Sequence, residues 1–291
     1  MTLGLAMLKP AVLSALKIGI AVYSGLCVLL FLRQSRLLYF PTTEIAQTPA
    51  DVGLAYEDLT LATPDGQRLG AWYVPADSAR GTVLMCHGNG GNISHRLEAL
   101  QFLHGLHVNV LIFDYRGYGR STGSPSETGT YTDAMAAWSY LAEQRRVPPA
   151  QIVLFGRSLG GAVASWLAEQ RPPAGLILEA TFTSVPDMGA KLYPWLPVRL
   201  LCRFRYNTLA RLPKLRCPLL IAHSPADDLI PYPHGQRLFA AAHEPKRFVQ
   251  LAGGHNDGEV IFAPSYRQAL DSFLSDCLKG LGDEVEQRAE P

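Results

Sequence analysis

The 291-residue sequence is short of several things that would assign it a chemistry at once. It has no H-E-x-x-H, no Walker loop and no complete G-x-G-x-x-G; "GNGGN" and "GYGRSTG" each miss the last spacing. Zinc-peptidase, phosphate-loop and dinucleotide chemistry therefore lack their usual signatures. The five cysteines (Cys27, Cys86, Cys202, Cys217 and Cys277) are odd in number and scattered, without the C-x-x-C spacing of a zinc or redox site. They read as free thiols, although Cys202 and Cys217 could pair in an oxidising compartment. An excess of one charge is missing too: 26 Lys and Arg against 25 Asp and Glu leave a formal net charge of +1, with no basic cluster. Nucleic acid is set aside as a partner on that ground, and neither a metal nor a cofactor is expected.

What the sequence has in quantity is apolar. With 48% hydrophobic and 18% charged residues, it can bury the core of one large α/β domain or two small ones. From Ala11 to Leu32 the chain runs 22 residues with a single charge, Lys17, and Arg33 and Arg36 follow. That length suits a single-pass membrane helix spanning the bilayer; a cleaved signal peptide competes, but its apolar core would be shorter and no small-x-small site precedes the basic pair. Tyr39 and Phe40, in "LLYFP", suit a membrane interface. Basic residues flank both ends, so the orientation stays open. Residues 1–40 are thus expected to anchor the chain to membrane lipid, residues 41–280 to form the body, and residues 281–291 a polar tail.

Beyond the anchor, mixed apolar and β-prone stretches around Pro64-Asp65-Gly66 read as an antiparallel hairpin. Short apolar runs ("TVLMC", "VNVLIFDY", "QIVLF", "GLILEA", "PLLIAHS", "RFVQLAG") then alternate with helical patterns, implying a mainly parallel sheet covered by helices on both faces. The stretch 181–212 breaks this rhythm. Rich in aromatic, proline and arginine residues, it is either a small cap over a site or an extra packed helix.

Polar and glycine-rich residues gather after five of these strands, where ligands bind in a doubly wound sheet. One such turn is "GRSLGG", a G-x-S-x-G strand-to-helix turn that would present the Ser158 hydroxyl above the sheet. A hydroxyl needs a base, and the base an orienting acid. Only His234, His243 and His255 follow both Ser158 and a strand-end acid; His234 falls at a helix start and His243 at a helix end, whereas His255 lies in a glycine-lined turn just past a strand. Of the adjacent pair Asp227 and Asp228, consecutive residues point different ways; Asp227 is chosen as the acid and Asp228 read as a solvated turn residue. The backbone N–H groups of Leu159, at a helix N-terminus, and of Asn89, after His87-Gly88, suit an oxyanion hole. His87 reads as structural, and the sequon Asn92-Ile93-Ser94 as coincidence.

At these residues, "HGNGGN", "DYRGYGRSTGSPSE", "GRSLGG", "SPADDLIP" and "AGGHND", the chain resembles the α/β-hydrolase superfamily, and more narrowly its membrane-tethered Bem46-like or serine-aminopeptidase-like branch, related to animal depalmitoylases. The resemblance covers roughly residues 33–278. It implies an eight-stranded α/β-hydrolase sheet with a small helical cap, and carries catalytic roles onto Ser158, Asp227 and His255, with Asn89 and Leu159 at the oxyanion hole. One departure stands out: His223-Ser224 replaces the usual His-Gly, which loosens the path into Asp227. The expected substrate is an acyl ester or thioester, with a lipophilic acyl group suggested by the cap. Amide cleavage is the rival reading, and a binding protein without catalysis the rival of another class.

Overall fold

The structure, a computed structural model, describes residues 2–257 and 263–278, with side chains from residue 12 onward. The polar tail 281–291 and the last residues of the final helical pattern lie outside the described residues. The chain opens with a 37-residue helix, α1 (Thr2–Leu38), followed by the short strand β1 (Phe40–Pro41). The hairpin is β2 (Glu57–Ala62) and β3 (Arg68–Val74), paired antiparallel across Pro64-Asp65-Gly66. Next come β4 (Thr82–Cys86), the two-residue β5 (Gly90–Gly91), α2 (Leu97–His104), β6 (Asn109–Phe113), α3 (Glu127–Ser139), β7 (Ile152–Arg157), α4 (Leu159–Gln170) and β8 (Gly175–Glu179). Residues 181–212 supply three short helices, α5 (Val185–Leu192), α6 (Val198–Leu201) and α7 (Thr208–Arg211). The chain ends on β9 (Leu219–His223), α8 (Pro233–Ala241), β10 (Lys246–Gln250) and α9 (Pro264–Leu278).

The main sheet has eight strands in the order β10-β9-β8-β7-β4-β6-β3-β2, parallel throughout except where β3 meets β2 and β6. The inner parallel strands β4, β7, β8 and β9 are almost wholly buried because both faces are covered, whereas β10, at the sheet edge, is half exposed. In β4 the alternation is visible: Val83 and Met85 join the core on one face, Leu84 and Cys86 the core on the other, and all four are fully buried. This β-alternation fixes which residues reach past the carboxyl end of each strand, and all parallel strands end on the same edge.

The long helix α1 is apolar on nearly every side, and its segment Val12–Leu38 is long enough to cross a membrane. Only one face of its second half meets protein. Cys27, Leu30, Gln34 and Leu38, spaced three or four apart, are half-buried together with Ser35, while the other residues between them stay exposed. The Tyr23 hydroxyl donates to the Trp195 carbonyl (2.9 Å), Gln34 Nε2 to the Leu201 carbonyl (2.8 Å), and the Arg203 N–H to Gln34 Oε1 (2.8 Å), which fastens the helix to residues 181–212. Phe40 is exposed, but Tyr39 does not sit at an interface: it is buried, its hydroxyl 2.8 Å from that of Tyr206 and its ring edge-on to Phe204. The apolar signal read at Tyr39 is that of a core residue at the joint between helix and body.

Candidate active site

Ser158 stands between β7 and α4 at φ 55°, ψ −120°, a conformation rare for a residue with a side chain. The neighbouring glycines make room for it. A Cβ on Gly160 would lie 1.9 Å from the Cys86 carbonyl oxygen, and one on Gly156 2.4 Å from that of Gly160, so helix and strand approach closely only because both are bare. The Ser158 N–H donates to the Glu179 carbonyl (2.9 Å) and the Thr181 hydroxyl donates to the Ser158 carbonyl (2.7 Å), which pins the turn on both sides.

His255 Nε2 lies 3.2 Å from Ser158 Oγ, and His255 Nδ1 lies 2.8 Å from Asp227 Oδ2. All three residues are under 10% exposed. The other Asp227 oxygen accepts the N–H groups of Leu229 (3.0 Å) and Ile230 (2.6 Å). Burial pushes the Asp227 pKa up, but the bonds from His255 and from those two N–H groups outweigh it, and the net shift is downward. Asp227 is therefore an ionised acceptor aimed at one imidazole nitrogen, while the other faces the hydroxyl.

The imidazole is held by its backbone as well. Asp228 Oδ1 accepts the His255 N–H (2.9 Å), so Asp228 is not merely a solvated turn residue; adjacent carboxylates point apart, one to the ring and one to the main chain. Arg157 Nη2 donates to the His255 carbonyl (2.7 Å), and Arg157 Nε lies 3.3 Å from Glu179, whose other oxygen accepts the Tyr266 hydroxyl (2.5 Å). Arg157 occupies a variable position of the serine motif, and its partner is 98 residues away, so no local pattern announced it. Ser224, the departure noted after β9, donates to the Gly253 carbonyl (2.6 Å) and accepts the Ala226 N–H (3.1 Å). It ties the acid loop to the histidine loop, and Asp227 still reaches His255 Nδ1.

The remaining sequence candidates separate cleanly. Asn89 and Leu159 line the same cleft as Ser158. The Asn89 side chain turns away and donates to the Leu38 carbonyl at the end of α1 (2.8 Å), leaving only its backbone for the site. The Phe40 N–H donates to the Asn89 carbonyl (3.0 Å), and β1 pairs parallel with β5, so the exit of α1 is stitched to the turn that carries Asn89. His87 Nδ1 bonds the Gly88 carbonyl and its Nε2 lies 3.5 Å from Asp114, a structural setting. Asn92 is fully buried and bonds Thr42 and Glu44, which explains the sequon as a turn motif. His234 packs against Thr183 and His243 against the Pro213 carbonyl, neither facing Ser158. The five cysteines are free thiols, Cys202 and Cys217 included.

Two clefts meet at Ser158. One, of about 470 Å³, is roofed by α5 and α6 and walled by α1; Leu30, Met188, Leu192, Leu201 and Phe204 are among its lining, and no charged side chain is. The other, of about 510 Å³, includes His255, Asn256, His95, Arg96, Glu98 and Arg157.

Comparison with known proteins agrees with this architecture. Residues 81–215 match the model of the α/β hydrolase fold family. The Mycobacterium tuberculosis protein Rv2307c is 44% identical over 258 residues, 88% of this chain and 92% of that one. The Arabidopsis thaliana α/β hydrolase domain-containing protein WAV2 is 36% identical, covering 82% and 88%, and the Schizosaccharomyces pombe protein bem46 is 32% identical, covering 92% and 96%. Among solved structures, a Pyrococcus furiosus esterase superposes with a TM-score of 0.68 at 20% identity, covering 82% of this chain and 99% of the esterase. A puromycin-hydrolysing peptidase of Mycobacterium tuberculosis superposes with a TM-score of 0.63 at 18% identity, over 77% of this chain and 39% of its own. With its sheet order, its serine turn and relatives matched over most of their length, the chain is a member of the α/β-hydrolase family and belongs with the relatives of Bem46 and WAV2.

Proposed function

We propose that this hydrolase is a membrane-anchored serine esterase or thioesterase acting on lipophilic acyl groups. The observation that carries the reading is the hydrogen-bonded line from Ser158 through His255 to Asp227. Ser158 Oγ attacks the acyl carbonyl while its proton passes to His255 Nε2, and Asp227 stabilises the imidazolium that forms. The N–H groups of Asn89 and Leu159 receive the oxyanion, Leu159 with the favourable end of the α4 dipole behind it. His255 then returns the proton to the leaving oxygen or sulfur, the C–O or C–S bond breaks, and water releases the acyl group from Ser158 by the same steps in reverse roles. The sequence requires no cofactor.

The leaving group must depart on the side where His255 can protonate it. His255 lines the polar cleft and not the apolar one, which leaves the apolar cleft for the acyl group. Its uncharged lining suits an alkyl chain, and its volume falls within the ordinary range of small-molecule sites. Amide cleavage is the second reading, favoured by the peptidase among the structural neighbours. An exopeptidase needs a carboxylate on the acyl side to hold a free amine, and Asp187, the only acid of residues 181–212, instead pairs with Arg199 and Arg237. The absence of catalysis altogether would make the chain a binding protein.

A fluorophosphonate probe separates these classes: labelling is expected, and is lost in Ser158→Ala. No labelling, or labelling that survives the substitution, overturns the enzyme reading. p-Nitrophenyl esters of increasing chain length, run beside aminoacyl anilides, decide between ester and amide; faster turnover of the anilides would reverse the choice. The apolar α1 supports membrane attachment, which carbonate extraction of the full chain tests, release into the soluble fraction being the contrary result.

A further inference from the structure

Arg96 is a half-buried cation without an ion-pair partner among the described residues. It links the turn Ile93–His95 to α2; its Nη2 donates to the Gly90 carbonyl, its Nη1 to the His95 carbonyl (3.3 Å), and its Nε is buried without a partner. Among the described residues no carboxylate forms an ion pair with it, whereas Arg116 holds Asp65 and Asp133, and Arg157 has Glu179. Burial first, and then the charge of Arg157, hold the Arg96 pKa below its ordinary value, against a weaker opposing pull from Asp114. A guanidinium still remains protonated at any working pH, and Asp114, buried nearby without forming an ion pair to it, offsets its charge only in part. Glu98 lines the same cleft, but it is exposed on the first turn of α2, where solvent screens it.

Arg96 also stands where a leaving group must go. The cleft it lines contains both Ser158 and His255, so an alcohol or thiol protonated by His255 departs past it. We propose that Arg96 makes this cleft a subsite for an anionic leaving group, a phosphate or carboxylate whose oxygens accept the free Nη hydrogens and supply the ion pair that Arg96 lacks. The fork of a guanidinium matches either anion. Together with the uncharged cleft on the far side of Ser158, this defines the substrate as an amphiphile: an alkyl chain on the acyl side, a negative group on the other. The inference rests on the acyl-transfer reading of Ser158, and its test is arranged so that the two can fail separately.

Three phenyl esters of decanoic acid, carrying a para-carboxylate, a para-phosphate or a neutral para-carboxamide, share acyl group and ring and differ in charge. In the unsubstituted chain, kcat/KM for one or both anionic esters is expected to exceed that for the carboxamide about tenfold, chiefly through KM, and to decline with added salt. The stronger of the two names the anion. Arg96→Gln should erase the preference and leave the carboxamide ester within about twofold, while Arg96→Lys, which keeps charge without the fork, retains part of it. If Arg96 only braces the Gly90 turn, Arg96→Gln lowers all three esters alike and the proposal falls; equal turnover of the three by the unsubstituted chain also overturns it and leaves the esterase reading intact. Binding of the same esters to Ser158→Ala, with and without Arg96→Gln, reads the subsite without catalysis. Absence of any turnover, with anion binding weakened about tenfold by Arg96→Gln, would keep the subsite and sink the hydrolase reading; binding indifferent to Arg96 would sink the subsite.

Discussion

The sheet edge and the cover laid over it are built by opposite means. At the edge, Ser158, Asp227 and His255 are buried, and each is fixed by hydrogen bonds to main-chain groups or side chains of the turns at the strand ends. The cover is α1 and the three short helices after β8, which touch through one apolar stripe and three polar contacts and leave Leu192, Trp195 and Leu200 exposed. Reaction chemistry tolerates little displacement, so it sits on the rigid layer. On the proposed acyl-transfer reading, selectivity depends on the shape of the apolar cleft, and that shape is given by the cover.

Substitutions at the edge should cost most. Ser158→Ala is expected to lower ester turnover by about 10³-fold or more with folding unchanged, read as kcat beside a thermal melt. Asp227→Asn, which leaves the geometry but loses the charge that fixes the tautomer, should cost about 10²–10⁴ in kcat. Residual activity near that of the original chain would mean that Asp228 carries the role. In the cover, Leu30→Trp fills the acyl cleft from the α1 side, so kcat/KM for a decanoyl ester should fall about tenfold while an acetyl ester changes little; equal losses on both would show that α1 acts on the edge rather than on selectivity. Asp228→Asn weakens a single charge-assisted bond to the His255 N–H and should lower kcat only a few-fold.

The smallest effect expected is on stability in acid. Asp227 has a folded pKa below the ordinary 3.8, so its contribution is present above that value and is lost as pH falls through the lower folded pKa. Unfolding midpoints of Asp227→Asn should therefore vary less with pH below about 4 than those of the unsubstituted chain; parallel curves would show that the carboxylate is not stabilised by folding.

The same contrast explains what the sequence made legible. The inner strands are readable because buried parallel strands are written as short apolar runs, and Ser158 and Asp227 because each follows such a run; His255 follows the half-exposed edge strand β10 and is marked by its glycine-lined turn. Relations between distant segments had no such signature. Gln34 meets Leu201 across 167 residues, and Tyr39 meets Tyr206 across the same separation, yet both lie in stretches whose apolarity alone suggested lipid. Arg96 opens α2, and that it has no ion-pair partner among the described residues is a property of the space around it, which no local pattern carries. Asp228 was misjudged because the main-chain N–H it accepts belongs to a loop 27 residues further on.

The stitching of α1 to the turn of Asn89, and its presence in the cleft wall, bear on how such a protein could be regulated by proteolysis. In a tethered enzyme joined to its anchor by a slack linker, a protease cutting the tether sheds a soluble enzyme with unaltered preferences. If α1 anchors the chain as proposed, a cut between residues 32 and 36 would carry away Cys27, Leu30 and Phe31 with it, opening the apolar cleft to water along one side. The shed body would differ from the tethered one in diet as well as address, turning over short acyl groups and losing its grip on long ones.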